Sequence, residues 1–440
     1  MFPDADMKYM GSMQKRKGGK DMFAAEKKTL MWLEKHLLPI VLIFVVLLSL
    51  GIRFALREVE SIDSHNFLLP WYDEIKEAGG LWGLGGQVGN YNMPYQTLIA
   101  LLTYLPVKPL YAYKILSCCF DYLLAAGVML CVFSLTQSRW KAVFAFSGVV
   151  LCPVVFLNSA AWAQCDSIFT AFLVLSLLML CRERYIPSFV LLGLAFAFKL
   201  QAVFLLPFYL FVYFVKKRFS LLHFLLIPAV MLAASLPNIL MGRNPLDVFT
   251  LYAYQTGTWQ RMYMNYPSFW ALLSGDSAAN YDLLRPVAIA LTLGLLAGLM
   301  AYWVYKKVDL TPDAMLRAAF LLAYTCVLFL PAMHERYGYV YEILAIILAF
   351  RDKKTILLML GLMALSSLTY GHYLFKTSPS LMLLAAINLL IYAGYLLRWL
   401  PGLNARKAKA HVPVGPPDGP GPSRPVEWET DQNKEESPCR

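Results

Sequence analysis

The sequence predicts an all-α polytopic membrane protein, a bundle of about twelve transmembrane helices with a long first external loop. Three observations predict it. Of 440 residues, 59% are hydrophobic and 15% charged, whereas soluble domains are about half apolar and roughly a quarter charged. Mean hydropathy is +0.54. Short basic clusters (Arg182/Arg184, Lys216/Lys217/Arg218, Lys306/Lys307 and Lys353/Lys354) fall between apolar runs, as they do in cytoplasmic loops. This balance excludes a soluble multidomain enzyme, a disordered chain and a disulfide scaffold. The net charge of +11 is accounted for by loops facing a membrane, so the bilayer is the expected partner and nucleic acid is not. The eight cysteines form no CxxC pair, which argues against a disulfide framework and a Cys-rich metal site.

The elements follow in order. Residues 1–35 are polar and Lys-rich and read as a cytoplasmic segment. They are too long and too charged for a cleaved signal peptide. The first span runs from about His36 to Ala55. Residues 56–94 make the first external loop, too long for a hairpin, with a surface helix over Phe67–Ala78 and a turn built on Gly79, Gly80, Gly83, Gly85 and Gly86. Apolar runs recur near Tyr111–Leu135, Ala142–Leu157, Ser167–Cys181, Ser188–Phe198, Ala202–Val215 and Leu221–Leu236. After a second large external loop, 239–284, they resume near Val287–Tyr305, Leu316–Leu330, Tyr339–Phe350, Thr355–Tyr370 and Ser380–Leu400. Several fall short of the ~20 residues a perpendicular span needs. Broken spans of that kind line protein cavities. The transmembrane domain thus covers 36–400, and the Pro/Gly-rich stretch 401–440 reads as a disordered cytoplasmic tail. With both termini cytoplasmic, every strongly basic connector lies inside, and both large loops and the His334–Arg336 turn lie outside.

Those external segments concentrate the polar residues. In the first, Asp63 lies just beyond the opening span, where a carboxylate can accept a proton from a substrate hydroxyl, although its position alone favours a solvated loop residue. The segment Gly89-Asn90-Tyr91-Asn92-Met93-Pro94-Tyr95 is a turn that re-enters the next helix. In Trp162-Ala163-Gln164-Cys165-Asp166-Ser167, Asp166 is costly if it faces lipid, and a loop-positioning or N-cap role competes with a binding one. Asp121 lies within a span and needs a polar partner, for which Lys114 is a candidate. Lys199 either snorkels or faces an anionic headgroup. In Met333-His334-Glu335-Arg336-Tyr337, three ionisable groups stand at a membrane boundary. A His beside an Arg suits a phosphate, and the tyrosines around them suit an interfacial anchor. Arg261 is a further cation in the second loop.

Together these segments resemble the GT-C superfamily of integral membrane glycosyltransferases, which use a polyprenyl-phosphate sugar as donor. The nearest echo is to the dolichyl-phosphate-glucose-dependent glucosyltransferases and their bacterial relatives. Asp63, then Trp71-Tyr72-Asp73, then Asn90–Tyr95 match the order of an Asp, an aromatic helix and a Pro-containing segment in that first loop. Trp162–Ser167 is similar to a Trp-Gly-Gln-x-Asp-Ser segment, with Ala163 in place of the glycine. His334-Glu335-Arg336-Tyr337 resembles a shared His-Glu-basic turn.

The resemblance implies a hexosyltransferase in which Asp63 is the base and a phosphate leaves in one inverting displacement. His334, Glu335, Arg336, Lys199, Arg261, Asp73, Trp71, Tyr91, Asn92, Gln164 and Asp166 would bind the substrates. The donor would be a polyprenyl-phosphate sugar and the acceptor a glycan or lipid-linked acceptor, with no metal and no cofactor expected. The implied location is a bacterial plasma membrane with the site facing outward, or the endoplasmic reticulum in a eukaryote. The rival class is a polytopic transporter or lipid flippase, whose polar sites sit near the membrane midplane between repeats. Here the polar residues crowd to one side.

Overall fold

The computed structural model describes residues 24–273 and 276–400. It is an all-α polytopic membrane protein. The chain forms α1 (Ala24–Ala55), α2 (Leu69–Glu77), α3 (Met93–Leu102), α4 (Pro109–Thr136), α5 (Arg139–Val150), α6 (Pro153–Phe156), α7 (Asp166–Cys181), α8 (Tyr185–Phe198) and α9 (Leu206–Lys216). It continues with α10 (Leu226–Ala234), α11 (Leu236–Leu240), α12 (Asp247–Thr258), α13 (Trp270–Leu273), α14 (Tyr281–Tyr305), α15 (Pro312–Phe329), α16 (Tyr339–Ala349), α17 (Ile356–Phe375) and α18 (Leu381–Trp399).

Each apolar run is helical, though Ala142–Leu157 is broken between α5 and α6, and Ala202–Val215 and Leu221–Leu236 begin in 3₁₀ turns. Among the described residues, six helices are long and apolar enough to cross a membrane, or seven if the bent pair Arg139–Val150 and Pro153–Ala161 is one span. The helices over Asp166–Cys181, Tyr185–Phe198, Leu200–Lys216, Leu221–Ala234 and Tyr339–Ala349 are shorter. Their place in the bundle explains this. Every residue of α16 is buried, and so are twelve of the residues of α7. A helix apolar all round belongs inside a bundle. In contrast, α1 exposes Ile43, Phe44, Leu47 and Phe54, a lipid-facing surface. It also begins earlier than its apolar run, taking in the Lys-rich end of the N-terminal segment. Residues 1–23 of that segment and the tail 401–440 lie outside the described residues.

Sequence sets the local boundaries. Asn92 caps α3 by accepting from the Met93 N–H, with Pro94 in the first turn. Ser138 and Thr311 cap α5 and α15 by accepting from the N–H three residues on, of Lys141 and Ala314. The partner of Asp121 is Arg53, whose Nη2 donates at 2.7 Å; Ser159 Oγ donates to the same oxygen. Lys114 fails as that partner because seven residues of helix separate it from Asp121 by about 10 Å. Its ammonium instead donates to the carbonyls of Leu56, Arg57 and Val59, where α1 ends. Both contacts fix the exit of α1, and therefore where Asp63 begins its loop.

Candidate active site

Three connections meet at one end of the bundle. The first loop leaves α1 and forms a π-helical turn over Ser64–Leu68 directly after Asp63. A second π-helical turn, Leu157–Ala161, precedes Trp162. Such turns re-aim side chains and recur at functional sites. The hydroxyls of Ser61 and Ser64 both reach the Trp162 carbonyl at 3.4 Å, while Trp162 Nε1 donates back to Asp63 Oδ2 at 2.9 Å. The two loops therefore lock each other. The third connection is the turn after α15. Its strand β2 (Met333–His334) pairs in parallel with β1 (Tyr263–Met264) of the second large loop, 239–284.

Asp63 is held by three donors from distant parts of the chain. Trp162 Nε1 and Gln164 Nε2 donate to Oδ2, the latter at 3.0 Å, and Tyr373 Oη donates to Oδ1 at 2.5 Å. Tyr373 stacks on Trp162 with ring centroids 4.4 Å apart, and the Arg336 guanidinium lies 5.3 Å over the other ring of this stack, that of Trp162. Gln164 is fixed in turn by the Tyr91 hydroxyl at 3.0 Å.

Arg336 stands among three carboxylates without a close bond to any. It is 3.7 Å from Asp63, 3.5 Å from Asp166 and 3.7 Å from Glu335, beyond the 2.7–2.9 Å usual for charge-assisted bonds. Its buried Nε makes no hydrogen bond. Burial works against its charge, but Asp166, Tyr91, Asp63 and Glu335 more than offset this and hold it a cation well above the ordinary range. Asp166 is tied more tightly, to Lys199 and to Asn158 Nδ2 at 2.8 Å. Lys199 itself is an extended residue that breaks the chain between α8 and the 3₁₀ turn Leu200–Leu205. Asp166 is the first residue of α7, and neither it nor Ser167 caps the helix; Ser167 Oγ donates to the Ser117 carbonyl.

Electrostatics divides the turn after α15. Burial, with Arg336 and Lys199 nearby, pushes His334 down to about 3, so at neutral pH it offers hydrogen bonds and no charge. Burial pushes Glu335 up to about 7 against the pull of Arg336.

A cavity of about 630 Å³ opens here. Of the residues singled out from sequence, Asp63, Trp71, Tyr91, Gln164, Lys199, His334, Glu335 and Arg336 line it. Asp166 stands behind Lys199 and Arg336. Asn92 is buried as a helix cap, its amide donating to the Val248 carbonyl. Asp73 and Arg261 are exposed and do not line the cavity. Sequence reasoning missed Tyr373, Gln201, Gln255 and Trp259, which do. Three non-glycine residues beside the site, Ala163, Asn265 and Ala332, adopt left-handed backbone, as strained positions at functional sites do.

Fold and site together define a multi-pass membrane protein with a clamped carboxylate facing buried cations at one end of its bundle. Residues 109–215 match the model of a family described as alpha-(1->6)-mannopyranosyltransferase, N-terminal domain. The matched stretch runs from α4 to α9 and contains Trp162, Gln164, Asp166 and Lys199. The match supports glycosyltransferase activity, and so an enzyme; the family is described by mannose transfer, where the sequence motifs echo glucosyltransferases. No curated protein matches the chain.

Proposed function

We propose that this protein moves a hexose, mannose in the reading favoured by the family match, from a polyprenyl monophosphate to a hydroxyl of a glycan or lipid-linked acceptor. One observation carries this reading. A carboxylate fixed by three donors and a guanidinium with an uncommitted buried donor share one cavity. Asp63 takes the acceptor proton as the hydroxyl oxygen attacks the anomeric carbon. The bond from that carbon to the phosphate oxygen breaks, and the electron pair leaves with the polyprenyl phosphate. Arg336, with Lys199 beside it, meets the charge that grows there. Phosphate is already a good leaving group, so one carboxylate suffices where glycoside hydrolysis needs two. Attack opposite the phosphate inverts the anomeric centre.

The site sits among loops at one end of the bundle, which favours an enzyme over a transporter with a midplane site. The basic loops support a plasma-membrane orientation with both termini cytoplasmic and the site outward, in a bacterium, or facing the endoplasmic reticulum lumen in a eukaryote.

The test is sugar transfer from labelled polyprenyl-phosphate mannose and glucose in membranes carrying wild type or Asp63→Asn at equal expression. Transfer by wild type and a loss of about 10²-fold or more in the variant is expected. Undiminished transfer by the variant removes Asp63 as base. Lipid movement across proteoliposomes without transfer would favour the transporter.

A further inference from the structure

Among the described residues, two that line the cavity hold a buried polar atom without a hydrogen-bond partner: Arg336 Nε, a donor, and Gln201 Oε1, an acceptor. The first suits an anion. The second needs a hydroxyl or N–H.

From this we infer that Gln201 reads one hydroxyl of the transferred hexose and so sets donor-sugar specificity, an inference that rests on the function proposed above. Gln201 is 9% exposed, and it stands in the Leu200–Leu205 turn two residues after Lys199. Lys199 and Arg336 converge on Asp166, so the turn places Gln201 next to the phosphate-binding charges, where the sugar attached to that phosphate must lie. The other cavity glutamines are committed. Gln164 accepts from Tyr91 and donates to Asp63, and Gln255 donates to the Asn90 carbonyl. Gln201 Oε1 is therefore the glutamine oxygen of this wall that is buried with no donor, in an amide that has Tyr337 beside it. A buried acceptor left unmet by the wrong substrate discriminates far more strongly than a lost apolar contact.

The experiment compares kcat/KM for the parent hexosyl polyprenyl phosphate and its 2-, 3-, 4- and 6-deoxy analogues, using wild type, Gln201→Leu and Gln201→Glu. Wild type should lose about 10- to 100-fold with one deoxy donor and little with the others. Gln201→Leu should be slower with the parent donor and no longer distinguish it from that one analogue. Gln201→Glu keeps an acceptor oxygen and should keep the discrimination, which a merely structural role would not require. A flat wild-type profile overturns the inference even if Gln201→Leu fails to accumulate. So does a Gln201→Leu profile parallel to that of wild type. Wild type that transfers no hexose from any donor overturns the proposed function, and this inference falls with it.

Discussion

Replacing Tyr373 by Phe isolates one donor of the Asp63 clamp. The hydroxyl donates to Asp63 Oδ1 at 2.5 Å, while the ring stacks on Trp162 at 4.4 Å and 16°. Phenylalanine keeps the ring, and with it the stack that supports Arg336. The change therefore removes a hydrogen bond to a charged group and little else. Such bonds contribute about 1.5–3 kcal/mol. If the contribution is realised in the transition state, kcat falls about 10- to 150-fold, at 1.36 kcal/mol per factor of ten. Trp162 and Gln164 still hold Oδ2, so the carboxylate remains in place with one oxygen free to rotate out of line. The donor KM should stay within about two-fold, because the cations proposed to meet the phosphate are unaltered. The assay is steady-state transfer with purified wild type and Tyr373→Phe at matched thermal stability. A kcat within two-fold of wild type would refute the claim that the third donor orients the base.

Two further outcomes follow. Glu335, pushed up to about 7 from its ordinary 4.5, favours its protonated form in the folded state; that contribution is complete below the unfolded value and is lost as pH rises through 7. Most of this loss, roughly 3 kcal/mol in all, falls between the unfolded 4.5 and the folded value of about 7, so wild-type Tm should fall from about pH 4.5 to 7 and level off above that, while Glu335→Gln lacks this decline; parallel curves would refute the assignment. Ala163, left-handed at φ 59°, carries a strain that glycine lacks, but its methyl is fully buried, so in Ala163→Gly the relief of about 1–2 kcal/mol is offset by glycine's unfolded freedom and by about 0.8 kcal/mol of lost burial, leaving stability within about 1 kcal/mol of wild type. A loss of about 2 kcal/mol or more in thermal unfolding would count against that backbone geometry.

Which parts of the site could be read in advance follows from contrast and periodicity. Asp63 and the His334–Arg336 run stand out because ionisable groups are costly beside a membrane. Tyr373 does not. It is one of 26 tyrosines, placed near the end of an apolar helix, and its carboxylate partner is 310 positions away. Gln201 is hidden for a related reason, since nothing local shows that its oxygen lacks a partner. The apolar runs located the helices, but the runs do not distinguish a span from a sheathed core helix, and α16 is the second kind. Helical phase places Asp73 off the cavity wall. Leu68, Tyr72 and Ile75 are buried at a helical spacing, which turns the neighbouring Asp73 outward, beyond reach of the cavity. Trp71, two residues back, stays on its edge, T-shaped against Tyr91.

The stretch 158–166 shows why its residues matter together. Asn158 donates to Asp166, Ser159 to Asp121, Trp162 and Gln164 to Asp63, and Asp166 receives Lys199. Consecutive helical residues could not do this, because their side chains spread around the axis. A π-helical turn followed by the left-handed Ala163 changes direction twice within a few residues. It aims Trp162 and Gln164 at one carboxylate oxygen while Asp166 turns to the cations. Strain at Ala163 is thus the geometric condition for holding the Asp63 carboxylate and the Lys199 and Arg336 cations at fixed separation. It follows that the clamp on Asp63 and the placement of Arg336 are coupled through Trp162, whose ring nitrogen serves the one and whose face supports the other.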